Sequence, residues 1–192
     1  MVFHLFDNRI LTTPKCGTRY LRQKWEDTEI TFKKIEIDGF SNIEYLIIRE
    51  PVEHLMSAVH TEFYNYKDFY HRNILYFSNY LDKLILKKEI EHWSYNMYEI
   101  MYWMFIKSNK KIKIIHLSSL TDFMKEQGHI IQYNESEYNW HWKQKWVSKY
   151  DFFNKLLEEF PTQMKILLKY SDEQTIIYNK LINNTIETQS LI

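Results

Sequence analysis

Short β-branched and apolar runs punctuate the first half of the chain, separated by stretches whose apolar residues recur every three or four positions. Residues 9–13 predict a short strand that stops at Pro14. Residues 30–37 are β-rich and end before Asp38-Gly39. Tyr45–Ile48 is a continuous apolar run, the pattern of a strand covered on both faces. Residues 112–117 predict a fourth strand, and 1–6 add an edge strand with Asp7-Asn8 as its turn. Helical spacing predicts helices over 18–24, 52–63 (with Pro51 at the first helical position), 93–107 and 120–127, the last stopped by Gly128. Further helices are predicted over 149–160, ending at Pro161, and from a capping box at Ser171-Asp172-Glu173-Gln174 to about residue 183. Strands alternating with helices imply an α/β fold of three layers: a parallel central sheet of about four to five strands flanked by helices. No repeat, low-complexity tract or linker divides the chain, so residues 1–192 are expected to form one domain.

Composition narrows the function classes. Lys plus Arg and Asp plus Glu both number 25, for a pI near 7.1, so no basic field exists to hold a nucleic acid. A mean hydropathy of -0.49 and the lack of a long uncharged apolar run predict no membrane span. The single cysteine, Cys16, excludes an intrachain disulfide, and the histidines show no metal-ligand spacing. The opening residues do not read as a signal peptide, which leaves a cytoplasmic location as the expectation. Oligomeric state is not legible. Glycine and proline are scarce, at 3 each. Average usage would give about 13 and 10. Each one therefore marks a place where the backbone needs it. The five arginines, Arg9, Arg19, Arg22, Arg49 and Arg72, all lie in the first half, which makes that half the favoured site for an anion.

Two constellations carry chemistry. In Pro14-Lys15-Cys16-Gly17-Thr18-Arg19 a strand runs into a tight loop and a helix. Loop amides, a hydroxyl, an ammonium and a guanidinium then converge, the outline of a phosphate cradle. It is not a Walker A loop, because Lys15 precedes the single glycine. The plain alternative is a strand-to-helix turn with Thr18 as its cap. In the second, Arg49 follows the buried strand directly, Pro51 opens a helix, and Ser57 lies about two turns in. Arg49 and Ser57 can grip one phosphate at the carboxyl edge of a sheet, where α/β folds bind ligands. The plain alternative is Arg49 closing the sheet edge and Ser57 as a packing residue. Two grips on neighbouring strands suit a nucleotide phosphorylated at both ends.

The run Thr13-Pro14-Lys15-Cys16-Gly17-Thr18-Arg19-Tyr20-Leu21 resembles the 5′-phosphosulfate loop of sulfotransferases that use 3′-phosphoadenosine 5′-phosphosulfate. The run from Leu46 through Arg49-Glu50-Pro51 to Ser57 resembles their strand-Arg-Asp-Pro-x-x-Arg-x-x-Ser motif for the 3′-phosphate, with Glu50 in place of Asp and His54 in place of the second Arg. The likeness is closest to carbohydrate sulfotransferases, and Trp140-His141-Trp142-Lys143-Gln144 is similar to a His-Trp-x-Pro-Gln segment of one branch. The resemblance implies a P-loop-like sulfotransferase fold and transfer of a sulfuryl group to an acceptor hydroxyl on a carbohydrate or small molecule. It implies that Lys15, Cys16, Gly17, Thr18 and Arg19 hold the 5′-phosphosulfate, and that Arg49 and Ser57 hold the 3′-phosphate. Lys15 would also stabilise the leaving oxygen, adenosine 3′,5′-bisphosphate would be the product, and no metal would be needed.

Transfer to a hydroxyl needs a group to take its proton. By the same resemblance, Asp38 and Glu36, at the carboxyl end of the strand after the first loop, are the first candidates; His60 and His141 are the others. For each the plain alternative is a solvated carboxylate or a hydrogen-bonded structural histidine. The surplus aromatics (Tyr64, Tyr66, Phe69, Tyr70, Trp140, Trp142 and Trp146) read mainly as packing. Two rival functions stand beside the sulfotransferase: a nucleotide kinase on a related P-loop scaffold, and a non-catalytic relative that binds a nucleotide or a partner protein.

Overall fold

The computed structural model describes residues 2–31, 34, 42–64, 74–90, 93–107, 112–129 and 149–189. In chain order the strands are β1 (Val2–Phe6), β2 (Ile10–Thr12), β3 (Asp27–Thr31), β4 (Tyr45–Ile48), β5 (Glu89–Ile90), β6 (Trp93–Ser94) and β7 (Lys113–His116). The helices are α1 (Thr18–Leu21), α2 (Pro51–Tyr64), α3 (Ile74–Lys87), α4 (Met97–Lys107), α5 (Leu120–Glu126, entered through a 3-10 turn at Leu117–Ser119), α6 (Lys149–Glu159) and α7 (Pro161–Gln189).

Five strands form one sheet in the order β3-β1-β2-β4-β7. β2, β4 and β7 run parallel, with Leu11 opposite Leu46 and Leu46 opposite Ile114. β1 lies antiparallel between β2 and β3, so the sheet is mixed, not wholly parallel as the element order implies. The cause is the turn. Asp7 and Asn8 both hold left-handed φ, at 51° and 54°, and Arg9 N–H donates to the Phe6 carbonyl at 3.1 Å. A turn that tight can only join antiparallel strands. β1 is also an interior strand, because β3 covers the side expected to be its edge.

Strand alternation assigns the two faces. Leu11, Leu46 and Ile48 pack with Met97, Tyr98, Met101 and Met104 of α4 and Tyr178 and Leu181 of α7. Ile10, Ile47 and Ile115 pack with Cys16, Leu21 of α1, and Leu120, Phe123 and Met124 of α5. Helices therefore cover both faces, which is why β4 is apolar at every position. A second apolar body joins α2, α3, α6 and α7 around Leu55, Val59, Leu81, Trp93, Phe153 and Leu167.

The helix ends follow local chemistry. Gly128, at φ 74°, ends α5: its N–H donates to the Lys125 carbonyl and that of His129 to the Met124 carbonyl, a Schellman pair. Two expectations need correcting. Ser171 does not open the last helix. α7 starts at Pro161 and runs 29 residues, with Ser171 and Gln174 buried in its middle. Proline suits the first helical position as well as it stops the helix before, and the Phe160 carbonyl takes the first N–H of the new helix, from Met164, at 3.0 Å. Residues 93–107 are also not one helix: Trp93–Ser94 pairs with Glu89–Ile90 as a hairpin before α4. Neither that hairpin nor α3 is among the elements expected from the sequence. Among the described residues no helix is long and apolar enough to cross a membrane.

Candidate functional site

β2, β4 and β7 end on the same edge of the sheet, and the loops that leave them build the site. The loop after β2 is shaped by buried side chains. Thr12, Thr13 and Cys16 are all fully buried. The Thr12 hydroxyl lies 3.1 Å from the Cys16 carbonyl, and the Thr13 hydroxyl donates to the Cys16 sulfur at 3.1 Å. Cys16 N–H closes the turn on the Thr13 carbonyl at 3.2 Å. Burial pushes the Cys16 thiol up to about 11, against the opposing pull of Thr13 and Arg49, so it stays neutral. Lys15 and Gly17 are left-handed, with φ of 65° and 83°. Gly17 has a second constraint: a Cβ there would lie 2.3 Å from Leu120 Cδ2. The close approach that calls for glycine is therefore with α5. Gly17 also precedes α1, whose first N–H groups have no partner within the helix.

The loop after β4 is shaped by charge. Arg49 Nη1 donates to the Lys15 carbonyl at 3.0 Å, which sets the two loops side by side. A second tie comes from His54, fully buried on α2, whose Nε2 lies 2.8 Å from the Pro14 carbonyl and so carries the proton it donates. The Arg49 carbonyl accepts from Tyr98, a buried phenol that burial holds well above its ordinary pKa. Glu50 caps α2: its carboxylate accepts Glu53 N–H at 2.8 Å. A glutamate thus supplies the carboxylate where the motif has aspartate. Glu53 lies 3.4 Å from Arg49 Nη2, is paired with Lys149, and accepts from the Tyr150 hydroxyl at 2.8 Å. Burial pushes Glu53 up, but those hydrogen bonds and the two cations outweigh it and hold the carboxylate below its usual range.

A cleft of about 340 Å³ opens at this edge, lined by Arg49, Glu50, Glu53, His116, Ser118 and Tyr178 among others. The Tyr178 hydroxyl lies 2.9 Å from His116 Nδ1, and the two rings meet edge to face at 5.7 Å. Burial, with the charge of Glu50, pushes Tyr178 up to about 12, so the phenol keeps its proton.

No known protein family, curated protein or solved structure matches the chain significantly. The site is therefore read from its own chemistry.

The Arg49 bond to the Lys15 carbonyl sets the stretch from Lys15 to Thr18 beside Arg49, but of these residues only Arg49 lines the cleft, and Ser57 does not line it either. Arg19 is the second residue of α1, with a side chain outside the description. Ser57 lies one turn beyond Glu53 and one before Thr61, so the three share a face of α2. Its carbonyl accepts the Thr61 hydroxyl at 2.8 Å. His60 is half-buried, with its ring against Phe152 at 5.6 Å, and does not line the cleft. Glu36, Asp38 and His141 lie outside the described residues. Arg9 and Arg22 pair with Asp7 and Asp27 elsewhere. Glu53, His116, Lys149, Tyr150 and Tyr178 are site residues to which the sequence assigned no role, although Glu53 lies within the run from Leu46 to Ser57. His116 alone carried a signal, as a polar residue ending an apolar strand at the ligand-binding edge.

Proposed function

We propose that the chain is a sulfotransferase that uses 3′-phosphoadenosine 5′-phosphosulfate, on a P-loop-like fold of which β2, β4 and β7 are the parallel part. The hydrogen bond from Arg49 to the Lys15 carbonyl carries this reading, because it sets the two resembling motifs side by side at one sheet edge. In the proposed roles, Lys15, Thr18, Arg19 and the Gly17 amide hold the 5′-phosphosulfate, the Cys16 amide being engaged by the Thr13 carbonyl, and Arg49 with Ser57 holds the 3′-phosphate. The acceptor oxygen attacks sulfur, the bond from sulfur to the bridging phosphate oxygen breaks, and Lys15 stabilises the charge left on that oxygen. The acceptor proton passes to a general base, for which Asp38 and Glu36 are the first candidates. The acceptor is proposed to be a carbohydrate or small-molecule hydroxyl. A kinase is the weaker reading, since the glycine-lysine spacing of a Walker A loop is missing.

Thermal stabilisation tests the reading. Adenosine 3′,5′-bisphosphate is expected to raise the melting temperature of the wild type more than that of Arg49→Ala. A response to ATP with magnesium alone contradicts it. Transfer of labelled sulfate is expected to vanish in Lys15→Ala while the fold persists. Bisphosphate binding without transfer to any acceptor favours the non-catalytic relative.

A further inference from the structure

The loop after β4 and the start of α6 bring cationic and hydroxyl donors to one point on α2. Arg49 directly follows β4, and its side chain is 16% exposed. Lys149 and Tyr150 are the first two residues of α6; the Lys149 side chain is 24% exposed and its ammonium sits over the Tyr150 ring at 4.6 Å. All three converge on the carboxylate of Glu53. A guanidinium, an ammonium and a phenol around two oxygens are the donor set that recognises a phosphate oxyanion. Two cations face the one carboxylate of Glu53, while the Glu50 carboxylate is turned to the backbone of α2 as its cap.

We propose that Arg49, Lys149 and Tyr150 form an oxyanion seat that Glu53 fills from within, and that a ligand phosphate binds by displacing the Glu53 carboxylate. This rests on the proposed function only for the identity of the ligand as a nucleotide phosphate. The seat adds Lys149 and Tyr150 to the grip on the anion and makes Glu53 an internal competitor that lowers affinity. Because Lys149 and Tyr150 start α6, the exchange also transfers the hold on that helix from Glu53 to the ligand.

The test is calorimetric titration of the full chain with two probes, inorganic pyrophosphate and adenosine 3′,5′-bisphosphate. Glu53→Gln removes the competing charge and keeps an acceptor for Tyr150. It is expected to bind the probes about tenfold more tightly than the wild type. Lys149→Met is expected to bind about tenfold more weakly. Tyr150→Phe, at a half-exposed position, is expected to lose about two- to threefold. Unchanged or weaker binding by folded Glu53→Gln overturns the seat and leaves Glu53 as a plain staple between α2 and α6. Tighter pyrophosphate binding with no bisphosphate binding by any variant supports the seat and defeats the nucleotide reading. Failure of both probes with every variant overturns both.

Discussion

The two loops that meet at the sheet edge are built on opposite principles. The loop after β2 takes its shape from packing: Thr12, Thr13 and Cys16 are buried, and Gly17 lies under Leu120. The loop after β4 takes its shape from charge: Arg49, Glu50, Glu53 and Lys149 hold one another, and most are partly exposed. A packed loop has one low-energy form, because core side chains interdigitate closely. A loop held by ion pairs can exchange partners at modest cost. The site thus pairs a rigid half with an adjustable one, and the Arg49 bond to the Lys15 carbonyl joins them.

The largest expected effect breaks the rigid half. Gly17→Ala puts a methyl group into Leu120 and leaves a side chain at a φ of 83°. It is expected to cost about 2–4 kcal/mol in urea unfolding. Leu120→Ala in the same chain should recover part of that loss, and simple additivity of the two substitutions would show that Gly17 is not held by α5.

The next effect separates the roles of the two glutamates in the adjustable half. Glu50→Ala removes the cap of α2 and is expected to cost about 1 kcal/mol, with Glu50→Asp largely preserving the cap. Equal losses for Glu50→Asp and Glu50→Ala would mean that the carboxylate does not act as the cap.

At neutral pH the smallest effect is that of Cys16. Its folded pKa is raised from 9.0 to about 11 by burial, so the unfolded chain loses the thiol proton first. The corresponding stability is fully present below pH 9.0 and is lost as the pH rises toward about 11. Cys16→Ala should flatten that part of the urea-unfolding profile, and an unchanged alkaline slope would contradict a buried, neutral thiol.

Much of this contrast could be read from the chain, and the missing part has a common cause. β1, β2, β4 and β7 followed from β-branched and apolar runs, whereas β3 covers Asp27–Thr31 and shares only its last two residues with the strand expected over 30–37, most of whose remainder lies outside the described residues. The apolar stretch Tyr45–Ile48 located the middle strand of the parallel part and Arg49 beyond it. Gly17, Pro14 and Pro51 marked the two loops, because a chain with 3 glycines and 3 prolines places them where geometry demands. The mixed sheet was implicit in Asp7-Asn8, since a turn of that length excludes a parallel neighbour. Pro161 carried two meanings, stop and start, and local pattern could not separate them. Ser171 has the spacing of a capping box, yet α7 passes through it because Leu167, Ser171, Gln174 and Tyr178 form one buried stripe. Glu53, Lys149, Tyr150 and Tyr178 reach the site only through packing of α2, α6 and α7, with 97 residues separating Tyr150 from its partner Glu53. No local periodicity records such a meeting.

The central claim is that the two loops hold two phosphates of one nucleotide. Calorimetric titration of the wild type and Arg49→Ala with adenosine 3′,5′-bisphosphate and with AMP tests it most directly. The wild type is expected to prefer the bisphosphate by about 100-fold, the worth of a charge-assisted phosphate grip. Arg49→Ala is expected to bind both ligands alike, with its AMP affinity close to that of the wild type. Equal affinity of the wild type for the two ligands, or an undiminished preference in Arg49→Ala, would contradict the account.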